Sequence, residues 1–572
     1  MKFLKASSPF LFLALLLGIA RFAMAWDFGF YEDDYTLVVR GMASSWGETW
    51  TFISNLFLSF GGQGRPLQHS LLFLISRIVG QFGGLHLGYL VAFGIVLLNC
   101  CLFYLLVRKL VSHEFALIAA TFYTLYSADT NQAFLYHAYG LQQSLTFFLF
   151  AGLAFRSGKR ILPYLLILGS LLSYENTYFV FLAFPLLGSR WDRKLLRRMA
   201  LHAVVLVFIF LIVVALRVLT GESRTAGLSW PGILTTPLLH MIQGPIVALG
   251  TNFLRPIQAL QSFDPAVYAL SGLAFVVFFW LSVRALRRAF AQQEISGTAG
   301  TMGSDLTISI GSPKLQLNIP AERATYLQIL IVGLLMLILA YPLTFTIRAY
   351  AISGRDSRVH FAAIFGSSLF WASAWWLVLS VVHSRTGTRI AASFLSLNLA
   401  LLLGFGLVVQ KDYARAWALQ QELWSSILDY APDLEEGTSI FIDPAGLEDA
   451  QYIDANTWAL PRVLPYIFEF PDSWKQTPVA YRLLPDWRSR LLFNDLEIKA
   501  VDYTWNYITS PWADTVILTT QDNRAANRLS TIQIEGENFS LKDDEAARVQ
   551  FGCGYLFHSL ILLDEKQSPP CR

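Results

Sequence analysis

Apolar runs of about 20 residues, separated by short polar or basic stretches, recur from Pro9 to Gln410 and then stop. A helix of about 20 residues rises roughly 30 Å, the thickness of a hydrocarbon core. The pattern predicts about eleven membrane spans, at 9–25, 85–107, 114–128, 138–155, 161–173, 177–189, 199–219, 265–283, 324–342, 359–382 and 389–410. Beyond Lys411 the chain turns polar, and strand-like runs such as Ser439–Ile442 and Thr515–Thr519 alternate with helical and Pro-rich stretches. The expected fold class is therefore an α-helical polytopic membrane protein over residues 1–410, carrying a small α/β domain over 411–572.

Basic residues orient the spans. Lys2 and Lys5, Arg108 and Lys109, Arg156 to Arg160, Arg190 to Arg198, Arg284 to Arg288, and Arg385 with Arg389 all fall on one side. The positive-inside rule makes that side cytoplasmic. The N-terminus is then expected inside and the 411–572 domain outside, across a plasma (inner) membrane. This parity holds if Pro66–Gly80 and Pro231–Gln258 lie at the outer interface instead of crossing. Lys2, Lys5 and the Ala23-Met24-Ala25 triplet imitate a signal peptide. Arg21 interrupts that pattern and further spans follow, so the first segment is expected to be retained.

Composition narrows the class. Of 572 residues, 55% are hydrophobic and only 15% charged, too apolar for a soluble globular domain. A net charge of +3 is too small to argue for nucleic acid. Cys100 and Cys101 fall mid-span, while Cys553 and Cys571 lie where an oxidising exterior would let them pair. The Gly-, Ser- and Thr-rich stretch Ala291–Glu322 reads as a flexible cytoplasmic loop.

Candidate chemistry starts just beyond the first apolar run, in the long loop 26–84. Asp27, Glu32, Asp33 and Asp34 crowd into eight residues there. Carboxylates at a membrane boundary lose hydration and repel one another, so such a group calls for a reason. Outside the membrane ATP is absent, and transfer reactions there draw on lipid-linked, pre-activated donors. Moving a sugar from a polyprenyl phosphate to a hydroxyl needs one carboxylate to take the acceptor's proton. It also needs cations to hold the phosphate and neutralise the charge it gains.

The cations are present. The short outer loop Thr346–His360 holds Arg348, Arg355, Arg358 and His360, against the positive-inside trend, and Arg65 and Arg255 each precede a proline. Guanidinium matches phosphate oxygens in bidentate geometry; the plainer role for any one of these arginines is to snorkel toward lipid headgroups. Glu175, between two short apolar segments, is a candidate to line the same cavity. Asp129, His137, His69 and His86 read as structural or interfacial. No spacing of His and Cys suits zinc.

The arrangement resembles the GT-C superfamily of membrane glycosyltransferases, including protein O-mannosyltransferases and the aminoarabinose transferase of lipid A. The matching pieces are Glu32-Asp33-Asp34-Tyr35 after the first span, Arg65-Pro66-Leu67, Gly84–Tyr89 leading into a span that ends at Arg108-Lys109, and Ser173-Tyr174-Glu175-Asn176. The resemblance implies transfer of a sugar, with inversion, from a polyprenyl-phosphate-linked donor to an extracytoplasmic hydroxyl. It puts the catalytic base at Asp33, with Asp34 as second choice. Glu32, Arg65, Glu175, Arg255, Arg348, Arg355, Arg358 and His360 are then expected to bind substrate. Some relatives use a divalent ion such as Mg or Mn between carboxylates and phosphate, and others do not. A transporter or flippase of a lipid-linked saccharide is the alternative expectation, since it would grip phosphate with the same arginines.

Overall fold

The computed structural model describes residues 2–220, 230–298, 306–309, 316–319, 321–345, 348–382, 384–431, 434–455, 459–502, 506–534, 537–541 and 552–553. Among them, six helices are long and apolar enough to cross a membrane: Ser8–Asp27, Gly84–Arg108, Arg193–Leu219, Pro265–Ala285, Ala363–Val381 and Arg385–Ile427. The expectation of about eleven is not met at that length. The segment 114–128 is a 12-residue helix, His113–Thr124, and 161–173 is another of 12 residues, Leu162–Ser173. At 1.5 Å per residue, helices of that length span only about 18 Å. The segment 177–189 is a 3-10 turn, Phe179–Leu186, with Pro185 inside it. Its apolar residues, such as Phe181 and Phe184, are wholly buried in protein, so their hydrophobicity serves the core.

Contacts between helix ends fix the direction of these helices: the first three alternate, and the fourth and fifth both start at the end where the first stops. Trp26, at the end of the first, packs against His86 at the start of the second, with ring centroids 4.6 Å apart. At the far end of the second, Lys109 Nζ donates to Ser157 Oγ (2.9 Å), close to where Arg156 donates to the Leu187 carbonyl. The third returns, and Arg217 in its last turn donates to the Gly64 carbonyl. Asp264, just before the fourth, pairs with Lys411 on the sixth. One end of the bundle thus gathers residues 26–84, 174–176, 217 and 350–360. The other gathers the basic residues near 108 and 156.

Two other stretches take defined structure. Pro231–Gln258 belongs to one 30-residue helix, Trp230–Ala259, which contains Pro237, Pro245 and Pro256. Within Ala291–Glu322, helix Pro265–Thr298 takes the first part, and strands Leu306–Ser309 and Gln316–Ile319 pair antiparallel. Residues 321–322 open helix Ala321–Ile338, while 299–305, 310–315 and 320, and the expected Cys553–Cys571 pairing, lie outside the described residues.

A single helix of 46 residues, Arg385–Tyr430, carries the chain across position 410. At about 69 Å it is more than twice the thickness of a hydrocarbon core. Its second half is a post with two loaded sides. On one, the first loop is tied down: Tyr31 Oη donates to the Tyr413 carbonyl (2.7 Å), Tyr35 Oη to Gln420 Oε1 (2.8 Å), and Gln420 Nε2 to the Phe30 carbonyl (3.0 Å). On the other, Ala525 N–H donates to Ser426 Oγ (2.7 Å) and Asn523 Nδ2 to the Leu419 carbonyl (2.7 Å), seating the C-terminal sheet.

That sheet confirms the strands read at 439–442 and 515–519. Its order is Arg524–Leu529, Thr515–Gln521, Ser439–Ile442, Val479–Arg482. Ser439–Ile442 runs parallel to both neighbours and is buried along its whole length, as central parallel strands are. Asp522 and Asn523 take positive φ (48° and 61°), closing a tight hairpin between the two strands they join.

Inside the bundle, helices Ala321–Ile338 and Ala363–Val381 cross backbone to backbone. A Cβ added at Gly366 would lie 2.5 Å from the Leu337 nitrogen and 2.6 Å from the Gly333 carbonyl oxygen, whereas at Gly272 it would meet nothing within 4 Å. Small residues at such crossings let helices approach within van der Waals contact of the main chain. We expect Gly366→Ala to destabilise the protein by about 1–3 kcal/mol, read as a lower melting temperature in detergent, while Gly272→Ala leaves it unchanged. Equal melting of the two variants would remove this crossing from the account.

Candidate active site

The acidic turn is built so that its two aspartates do different things. Asp34 is wholly buried, and its carboxylate accepts from the backbone N–H of Tyr31 (3.0 Å) and of Tyr136 (2.6 Å). It stitches the turn to the 130s loop. Burial pushes its carboxyl up to about 7 against the pull of those N–H groups. Glu32 sits at φ 49°, a left-handed conformation unusual for a residue with a side chain. Such strain persists where surrounding contacts over-determine it. Here those contacts are the Asp34 bonds and the post holding Tyr31 and Tyr35. The consequence is that Asp33, between the two, is left to face the arginine loop.

Arg355 and Arg358 meet Asp33 from a 3-10 helix, Arg355–His360. With three residues per turn, positions i and i+3 eclipse, so both guanidinium groups emerge on one face. Arg358 Nη1 lies 2.7 Å from Asp33 Oδ2, and Arg355 reaches the same carboxylate through Nε (3.3 Å) and Nη2 (3.4 Å). Arg358 Nε is buried with no partner among the described residues. Burial alone would raise the Asp33 carboxyl; Arg358 and then Arg355 outweigh it and hold it below the ordinary aspartate range.

The arginine loop is clamped from two sides. Thr130 N–H donates to Ser357 Oγ (3.1 Å), and Asn131 Nδ2 to the Gly354 carbonyl (2.6 Å). Gly354 N–H donates to the carbonyl of Tyr452, in the C-terminal region (2.9 Å). Gly354 itself has φ 58°, and a Cβ there would collide with the Asp454 carboxylate. His360, expected to bind substrate, is structural instead. Its Nε2 bonds the Ala351 carbonyl (2.9 Å) and its Nδ1 the Tyr341 hydroxyl (2.7 Å).

A second ion group stands alongside. Arg65 grips Glu175 in a fork, Nε to Oε2 at 2.7 Å and Nη2 to Oε1 at 2.5 Å, with its guanidinium carbon 4.3 Å from the Tyr174 ring centroid. Arg217 approaches the same carboxylate at 3.5 Å. Burial opposes ionisation of Glu175, but Arg65 and then Arg217 hold its carboxyl down to about 2. Tyr136 joins the two groups: half-buried, it lies in the electrostatic field of Asp33, Arg358, Arg65 and Tyr174 at once.

Of the expected site residues, Asp33, Arg65, Glu175, Arg355 and Arg358 come together, with Glu32 and Asp34 shaping the turn. Arg255 does not join them; it is buried between Tyr452 and Phe405, 5.0 and 5.5 Å from their ring centroids, and packs the C-terminal region onto the bundle. Arg348 is exposed and bonds Tyr350 Oη at 2.5 Å. Arg217 and Tyr136 were not foreseen. Arg217 had a signal, a cation in the last turn of an apolar helix at the end poor in basic residues. Tyr136 had none. The carboxylates do not suit a divalent ion: guanidinium groups hold Asp33, backbone N–H groups hold Asp34, and no cluster of three or more His, Cys, Asp or Glu able to hold a metal occurs among the described residues.

No family model, curated protein or solved structure matches the chain.

Removing one partner of a buried ion pair strands the other, at about 3–5 kcal/mol. Glu175→Gln should destabilise by that order at neutral pH, and Arg65→Gln combined with it should be milder than the sum of the two. Because the Glu175 carboxyl is held down from 4.5 to about 2, its contribution is full above pH 4.5 and fades as pH falls toward 2. Melting curves of wild type and Glu175→Gln should therefore converge on acidification; a constant gap would contradict the pairing.

Proposed function

We propose that this protein is a membrane glycosyltransferase of GT-C type, acting at the outer face of the plasma (inner) membrane on a polyprenyl-phosphate-linked sugar. The observation that carries the reading is the meeting of Asp33 with Arg355 and Arg358, brought from 322 and 325 residues away to one carboxylate. A lone carboxylate beside paired guanidinium groups is the minimum set for direct displacement at an anomeric carbon by a hydroxyl. The six apolar helices support a membrane setting, and the gathering of charge at one end of the bundle favours interfacial chemistry over transport through the middle.

In the resting arrangement Asp33 is a poor base, because two cations stabilise its ionised form. A phosphodiester entering the site competes for those same guanidinium donors, with the open Nε of Arg358 as first contact. As the arginines turn to phosphate, Asp33 loses their support and its basicity rises. The acceptor hydroxyl then attacks C1, its proton passes to Asp33, and the C1–O bond to phosphate breaks. Both electrons of that bond leave on the phosphate, whose added negative charge the arginines stabilise. A single displacement inverts the anomeric centre.

Asp33→Asn should cost transfer about 10²–10⁴-fold, and Arg358→Gln about 10²–10³-fold, with folding intact. The acid limb of kcat/KM should lie below the ordinary aspartate value of 3.8 and move to higher pH in Arg358→Gln, as the support for ionised Asp33 is lost. Full transfer by Asp33→Asn would contradict the reading, as would passage of the lipid across a bilayer with no turnover.

A further inference from the structure

Between the two ion groups lies a polar pair that neither of them uses. Gln68 lies in the first turn of helix Pro66–Phe82, three residues after Arg65 at its N-cap. It is fully buried; its Nε2 donates to the Tyr136 hydroxyl (3.3 Å), and its Oε1 has no partner among the described residues. Tyr136 accepts that bond, and its own phenolic proton meets no acceptor there. Gly140 makes the room: a Cβ at that position would lie 3.0 Å from Gln68 Nε2 and 3.1 Å from its Cγ. Tyr136 meanwhile stands within the fields of Asp33, Arg358 and Arg65.

Buried amide oxygens ordinarily find a donor, so one left open beside a free phenolic proton needs a reason. Side by side, an open acceptor and an open donor complement a single hydroxyl, which offers one of each. We infer that Gln68 and Tyr136 are specificity-determining residues that read one hydroxyl of the sugar as its anomeric carbon sits beside Asp33. The inference rests on the glycosyl-transfer reading and names the feature of the donor that the site selects. A site that hydrogen-bonds a hydroxyl rejects the analogue lacking it, because its buried groups are then left unpaired.

The test compares the full chain with Gln68→Leu and Tyr136→Phe, on a sugar donor carried by a short polyprenyl phosphate and on each of its monodeoxy analogues. Tyr136→Phe keeps the ring and so preserves the packing. In the unaltered chain one monodeoxy donor should be poorer in kcat/KM by on the order of 10-fold or more. Both variants should erase that gap while leaving the ranking of the other analogues intact. Affinity for the bare polyprenyl phosphate should stay unchanged in both, which a general loss of structure would not allow. A variant that slows every donor by one factor, or that preserves the gap, overturns the inference. Asp33→Asn, run alongside, separates the failures: if it is inactive while Gln68→Leu and Tyr136→Phe keep the gap, only the Gln68–Tyr136 pair falls, whereas an active Asp33→Asn sinks the transfer reading itself.

Discussion

A carboxylate shared between two guanidinium groups, Asp33 between Arg355 and Arg358, is the contact on which the arrangement of this protein turns. Charges drawn from water lose several kcal/mol of hydration apiece, and replacing such a group with apolar side chains is often neutral or stabilising. Its presence is therefore better explained by what the charges do than by stability. Much of the surrounding structure holds its two halves in register. The helix Arg385–Tyr430 fixes the acidic turn through Tyr413 and Gln420, and the C-terminal region fixes the arginine loop through Tyr452. The 411–572 region is in that sense part of the site's frame.

The two ion groups differ in a way that suits different work. Arg65 and Glu175 meet in a short fork, and the Arg65 side chain is only 8% exposed; Arg355 touches Asp33 at 3.3 Å or more and is 34% exposed. A well-made buried fork resists competition, whereas a longer, wetter pair gives way to a better partner. The first group is a fixed wall and the second an exchangeable contact. Tyr136 lies between them, where a ligand reaching both would pass.

Much of this was legible in the sequence, for physical reasons. Apolar runs announced the membrane helices, and Ser439–Ile442 announced a strand, which the fold makes a buried parallel one. The arginines at 355 and 358 stood out because they broke the charge bias of the loops. Hydropathy counted too much where apolar residues serve protein packing: Phe179–Leu186, read as part of a span, is a 3-10 turn set largely in the core. It also could not separate Asp33 from Asp34, since the difference lies in which side chain the strained backbone at Glu32 turns toward the main chain. His360, Arg255 and Arg348 were grouped with the site by proximity in sequence or by charge, and three-dimensional packing sends them elsewhere. Tyr136 and Gln68 left no mark, because tyrosine and glutamine near apolar helices are ordinary until the fold sets them between ion pairs.

The most direct measurement is a cryo-EM or crystal structure of the full chain with a polyprenyl phosphate bound. The account predicts phosphate oxygens against Arg355 and Arg358, with the Asp33 carboxylate released from both and facing open space beside Tyr136. A phosphate seated elsewhere, with the 2.7 Å contact between Arg358 and Asp33 intact, would contradict it.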